Sequence, residues 1–203
     1  MKFKAKFIYL ISPNKIYSDF YEDLKEILKT KKVKYFQLRL KKISKNKIIS
    51  ISRNVRKICK SFDVKFIIND DPSIAKIVNA DGCHLGQKDM HIKKARKILK
   101  NKIIGVTCNN SHKKVKDALK NKADYIALGA FNLSKTKKVK YRATINDLKK
   151  IRKLSKKPII AIGGINLHNY KKLLLNKAAF LAISSFIWKN KKLKPVEAIK
   201  ILK

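Results

Sequence analysis

The sequence predicts an α/β fold, a single-domain (βα)8 TIM barrel over residues 1–203. Three observations predict it. Short apolar runs of strand length recur, each followed by a stretch with apolar residues at helical spacing. The alternation occurs eight times with no linker or low-complexity break, which calls for a parallel sheet closed on itself. Polar residues gather just past the C-terminal ends of the strands, where such barrels keep their chemistry. An open doubly wound sheet is the runner-up and would leave the same strand ends along one crevice.

Phe7 to Ile11 reads as the first strand, closed by Ser12-Pro13-Asn14. Ser18 to Lys31 is a helix with Phe20, Leu24, Ile27 and Leu28 on one face. Tyr35 to Leu40 is the second strand, in which Gln37 and Arg39 alternate with apolar residues and share a face. Ser44 to Phe62 is a long helix with Ile48, Ile51, Val55 and Ile58 in phase and Ser44 as its N-cap. Phe66-Ile67-Ile68 is the third strand, stopped by Asn69-Asp70-Asp71-Pro72. Ser73 to Asn79 gives one or two helical turns, with Asp71 as cap, and Cys83-His84-Leu85 is the fourth strand, ending at Gly86.

Lys93 to Leu99 is a short helix, and Ile103 to Val106 a fifth strand ending at Thr107. Ser111 to Lys120 is a helix capped by Ser111 or Asn110. Tyr125 to Gly129 is the sixth strand, opening into a loop that runs to about Arg142. Thr144 to Leu154 is a helix with Asp147 near its positive end. Pro158 to Ile162 is the seventh strand, ending at Gly163-Gly164-Ile165; Leu167 to Leu175 is helical, Leu181 to Ile183 the eighth strand, and Pro195 to Leu202 the closing helix.

The composition bounds function more loosely. A formal charge of +39, from 52 Lys and Arg against 13 Asp and Glu, would suit nucleic acid, an acidic membrane surface or an anionic substrate. The lysines are scattered over every predicted helix and loop and are not interleaved with aromatic residues, so a solvated surface rather than a dedicated nucleic-acid face is expected. Three cysteines, Cys59, Cys83 and Cys108, make no metal spacing and leave an odd thiol. Cys59 and Cys83 fall at core positions, and Cys108 follows a strand and could touch the mouth. The five apolar residues Phe7 to Ile11 are too few for a signal-peptide core, and no run reaches membrane-spanning length. A reducing cytoplasm is the expected compartment, with no membrane partner.

At the strand ends, the second strand supplies Gln37, Arg39 and Lys41, the third Asn69 and Asp70, and the loop after the fourth Asp89. The fifth supplies Thr107 and the loop after the sixth Ser134, Thr136 and Lys137. The seventh supplies Gly163 and Gly164, and the eighth Ser184 and Ser185. Asp70 and Asp89, on successive strand-end loops, converge if the barrel closes, and two carboxylates with water and phosphate oxygens suit Mg²⁺. Arg39, Lys41 and Lys137 beside two acids suit a magnesium-bound polyphosphate. The glycine pair allows backbone N–H groups to approach a second anion.

These segments resemble the thiamine phosphate synthase family. The resemblance is carried by QLRLK at 37–41, IINDDPSIA at 67–75, ADGCHLGQKD at 80–89, IIGVTC at 103–108, ADYIALGAF at 123–131, SKTK at 134–137 and PIIAIGGI at 158–165. It implies a Mg²⁺-dependent transferase that joins hydroxymethylpyrimidine diphosphate to a thiazole phosphate, giving thiamine phosphate and pyrophosphate. Two small molecules are then its partners. Carried over by motif, Gln37, Arg39, Lys41, Asn69 and Lys137 would hold the diphosphate, and Asp70 and Asp89 the metal. Thr107 takes the place of a serine near the pyrimidine and diphosphate. Ser134, Thr136, Gly164 and Ser185 would hold the thiazole phosphate, and Ser184, at the same strand end, is a further substrate-binding candidate. Arg39, Lys137 and Thr107 would stand nearest the chemistry.

The chain departs from the family pattern at Gly129-Ala130, where Gly-Pro is usual, at Ser134, at Asn109, at Lys177-Ala178-Ala179-Phe180 and at Phe186. Thiazole tautomerases share the fold but generally lack the full metal and diphosphate set. Retention of Asp70, Asp89, Arg39 and Lys137 favours the synthase branch.

Overall fold

The computed structural model describes residues 6–132 and 142–203. Its eight strands close into a parallel barrel in sequence order, which excludes the open sheet. They are β1 (Ile8–Ile11), β2 (Val33–Leu38), β3 (Lys65–Asn69), β4 (Gly82–Leu85), β5 (Ile103–Asn109), β6 (Tyr125–Gly129), β7 (Ile159–Ile162) and β8 (Phe180–Ile183). The helices on the outside are α1 (Phe20–Lys29), α2 (Lys45–Ser61), α3 (Pro72–Ile77), α4 (Ile92–Leu99), α5 (His112–Lys120), α6 (Ile145–Leu154), α7 (Tyr170–Leu175), α8 (Ser185–Trp188) and α9 (Pro195–Lys200).

The expected caps form. Asp71 Oδ1 accepts from Ser73 N at 2.9 Å and Ile74 N at 3.0 Å, fixing the start of α3 beside Pro72. Ser44 and Ser111 cap α2 and α5, and Thr144 with Asp147 forms a capping box on α6. Besides shifts of a few residues at other element ends, three differences from expectation bear on the mouth. Strand β2 stops at Leu38, so Arg39 and Lys41 lie beyond it rather than Arg39 within it; β5 runs on to Asn109, which places Thr107 inside the strand. The four-residue α8, Ser185 to Trp188, is too short to show a helical period in sequence.

Two apolar layers hold the barrel. Between sheet and helices lies the larger core, in which Phe20, Leu24, Phe36, Val55, Phe66, Ile104, Val115 and Leu148 are almost fully buried. A smaller one fills the barrel interior, with Tyr9, Ile11, Tyr125, Ala127, Ile160 and Ala182 facing inward. All three cysteines are buried. Cys108 packs in the outer core, so it does not reach the mouth; Thr107 before it faces inward, and strand alternation turns Cys108 outward.

The aspartates of the two similar segments ADGCHLG and ADYIALG act at the opposite, N-terminal end. Asp81 Oδ2 accepts from Phe66 N at 2.9 Å, and Asp124 Oδ2 from Ile104 N at 2.8 Å and from Arg96 at 2.7 Å. Each ties the start of one strand to its neighbour and satisfies an N–H that the ladder leaves over.

Candidate active site

The C-terminal mouth is built from residues that leave the strands on the inner face. Gln37 lies in register with Ile11 of β1 and Ile67 of β3 and is 2% exposed. Its Nε2 has no hydrogen-bond partner among the described residues, an unmet donor inside the barrel. Beyond it, the Arg39 backbone N–H donates to Ser12 Oγ at 2.9 Å, and its guanidinium donates to Asn14 Oδ1 at 2.9 Å. Arg39 is thus held by the turn after β1 and by a neutral amide, with no carboxylate in ion-pair contact among the described residues. Ser184 Oγ donates to Ser12 O at 3.2 Å, so the ends of β8 and β2 lean on the same residue.

Across the mouth, Asp70 follows β3 with a positive φ of 68°, and its backbone N–H donates to His84 O at 2.8 Å. That conformation, which Asp tolerates better than most residues, turns the Asp70 side chain away from the cap position filled by Asp71. Lys41 donates to Asp70 Oδ2. Asp89 folds back over Gly86, whose N–H donates to Asp89 Oδ2 at 2.6 Å. A side chain at Gly86 would intrude, since a Cβ there would sit 2.8 Å from that oxygen.

Asp70 and Asp89 lie close enough for each to shift the titration of the other, and their acidities part. For Asp70, burial works to raise the pKa, but the Lys41 hydrogen bond, the neighbouring Asp89 carboxyl and the Lys41 and Arg39 charges outweigh it and hold the carboxyl below its usual range. Asp89 is pushed upward by burial and by the neighbouring Asp70 carboxyl, against the opposing Gly86 N–H. Two acids sharing one place in this way can accommodate a divalent cation. They form a pair, not a cluster of three or more His, Cys, Asp or Glu, among the described residues. A pair suits Mg²⁺, which keeps several waters or substrate oxygens.

The remaining expected residues fall as follows. Asn69 is the last residue of β3, in register with His84. Thr107 Oγ1 lies 2.8 Å from His84 Nε2, and the Thr107 carbonyl accepts from Gln87 Nε2. Gly163 and Gly164 turn the chain after β7 with φ of 104° and 59°, values that glycine adopts freely; Asn169 Nδ2 donates to Gly164 O at 2.9 Å. Ser184 and Ser185 begin α8, at the end of the neighbouring strand. Ser134, Thr136 and Lys137 lie outside the described residues.

Sequence reasoning missed four residues here. Ser12 and Asn14 read as mere strand terminators, and His84 and Tyr125 as strand filling. The inward phase of the alternation points to the last two, because Asn69, His84 and Thr107 share the inner face. His84 is 8% exposed, and burial, aided by Arg39 and opposed by Asp70, depresses its pKa to about 4.

Comparison with known proteins points the same way. The family described as thiamine monophosphate synthase matches residues 8–187. The thiamine-phosphate synthase of Pelagibacter ubique is 61% identical over 203 residues, covering 100% of this chain and 98% of that protein. That of Fusobacterium nucleatum is 46% identical over 165 residues, covering 80% of this chain and 79% of the relative. Among solved structures, thiamine phosphate pyrophosphorylase from Pyrococcus furiosus superposes with a TM-score of 0.86 at 27% identity, covering 98% of this chain and 93% of that one.

Proposed function

The chain belongs to the thiamine monophosphate synthase family and is a transferase that joins a pyrimidine to a thiazole moiety; on that premise we propose that the mouth between Arg39 and Asp89 binds the pyrimidine as its diphosphate, with Mg²⁺. The observation that carries this reading is the meeting of Asp70 and Asp89 beside Lys41 and Arg39. Paired acids alone would repel a diphosphate, and paired cations alone would repel a metal. Together they fit the two as one unit.

Asp70 and Asp89 would hold the metal, which when bound supplies positive charge to the departing diphosphate. Arg39 and Lys41 lie where negative charge grows as the carbon–oxygen bond breaks, and Lys137 is proposed to join them. Gln37 Nε2 offers a donor to the substrate. Asn69 and Thr107 add polar groups on the same rim. Electrons of the breaking bond leave with pyrophosphate, and the pyrimidine-methyl cation left behind is captured by the thiazole nitrogen. No side chain need accept a proton in that exchange, so the protein's work is positioning and charge stabilisation. Ser134, Thr136, Gly164, Ser184 and Ser185 are proposed to hold the thiazole phosphate. The three unpaired thiols suit a cytoplasmic location. No helix among the described residues is long and apolar enough to cross a membrane.

The experiment mixes purified protein with both substrates and Mg²⁺ and looks for thiamine phosphate. Product that requires Mg²⁺ supports the reading. No product from folded protein with metal present sinks it.

A further inference from the structure

Beneath the mouth a line of polar groups runs through the barrel interior. Tyr9 OH lies 2.7 Å from Tyr125 OH, Tyr125 OH 3.0 Å from His84 Nδ1, and His84 Nε2 2.8 Å from Thr107 Oγ1. Tyr9 and Tyr125 are each 1% exposed. The line is built into the sheet: a Cβ on Gly105 would fall 1.8 Å from Tyr125 Cζ, so glycine makes the seat in which the Tyr125 ring lies near-parallel to His84.

Neutral histidine carries one ring proton, on Nδ1 or on Nε2, and the two tautomers order the line differently. In one, Thr107 donates to Nε2, Nδ1–H donates to Tyr125, and Tyr125 donates to Tyr9. The Tyr9 proton then has no acceptor, because the Tyr9 hydroxyl bonds to Tyr125 and to no other described residue. In the other, Tyr9 donates to Tyr125, Tyr125 to Nδ1, and Nε2–H to Thr107. Every buried donor is then used, and an unmet buried donor costs more than a made bond returns. The second order is the stable one. It occupies the Thr107 oxygen from below and leaves the Thr107 proton to point into the mouth.

We propose that Tyr9, Tyr125 and His84 form a relay that fixes the Thr107 hydroxyl as a hydrogen-bond donor to the bound pyrimidine diphosphate, which makes His84 a positioning residue. The proposal rests on the reading of the mouth given above. A donor aimed at an oxygen that gains charge as the diphosphate leaves acts on turnover more than on binding.

Two measurements test it. Nitrogen NMR of the unaltered protein labelled in histidine, with the signal assigned by His84→Gln, is expected to show Nε2 protonated and Nδ1 bare. A proton on Nδ1 would overturn the relay even if no variant folds. In kinetics, Thr107→Val and His84→Leu are each expected to lower kcat by about tenfold to a hundredfold with KM for both substrates within about threefold. The double variant should be no worse than Thr107→Val alone, and His84→Gln, which keeps a donor, should recover most of the loss. Losses that multiply, or that fall on KM, overturn the proposal. Wild-type protein that makes no thiamine phosphate would instead defeat the assigned reaction and leave the tautomer measurement intact.

Discussion

The carboxyl groups of Asp70 and Asp89, nineteen positions apart in sequence, meet at the barrel mouth, where each shifts the titration of the other, Asp70 downward and Asp89 upward. Neighbouring parallel strands bring them there: β3 and β4 pair over Ile67–Asn69 and Gly82–His84, so residues just beyond each strand leave the sheet side by side. The arrangement would be unfavourable if both were ionised with nothing between them, and Lys41 offsets part of that repulsion.

The two ends of the barrel should separate under mutation. Asp124→Ala removes the acceptor of Ile104 N–H and one of the partners that hold Arg96. Leaving that N–H unpaired and Arg96 without its ionic partner costs about 2 kcal/mol, which for a chain of this size lowers Tm by roughly 4–8 °C. Turnover at a temperature where the variant is folded should match the wild type. Thermal unfolding alongside a rate measurement checks both, and loss of turnover in folded protein would count against a purely architectural role.

His84 gives a stability that depends on pH. Its folded-state pKa is about 4 against 6.5 for the ordinary side chain, so the unfolded chain binds a proton that the folded one refuses between those values. Stability is therefore full above about pH 6.5 and falls as the pH drops toward 4, by about 2 kcal/mol from pH 7 to pH 5. Denaturant titrations at the two pH values, on wild type and His84→Gln, measure it. The difference between pH values should shrink by that amount in the variant; an unchanged difference would place the depressed pKa elsewhere.

The strand and helix order was legible because parallel strands buried on both faces read as apolar runs ended by Asn, Asp, Pro or Gly, as at Phe66 to Pro72. The site's charged residues were legible because they follow those runs. What escaped was interior geometry. Tyr9, His84 and Tyr125 come from three strands, and nothing local marks them as one line. Asp81 and Asp124 stand in the same motifs as site residues yet work at the other end of the barrel, since a motif does not show which end of its strand carries the chemistry. Strand β2 looked longer because Arg39 and Leu40 continue its alternation after pairing has stopped.

The charge of +39 is expected to act only generically. Binding to a random RNA, followed across salt, should weaken steeply between about 50 and 200 mM, as counterion release dictates. Tight binding that persists near physiological salt would point to a dedicated nucleic-acid surface.

The pairing of Asp70 with Asp89 as the metal site is the claim on which the proposed mechanism turns, and Asp70→Asn tests it most directly. Asp71, not Asp70, caps α3, so the substitution leaves the helix start intact. The measurement is kcat as a function of Mg²⁺ at saturating substrates, for wild type and variant. The account predicts a drop on the order of a hundredfold, with more Mg²⁺ needed for half-maximal rate, because lost metal charge stabilisation is worth several kcal/mol. Full activity with an unchanged Mg²⁺ dependence would contradict it.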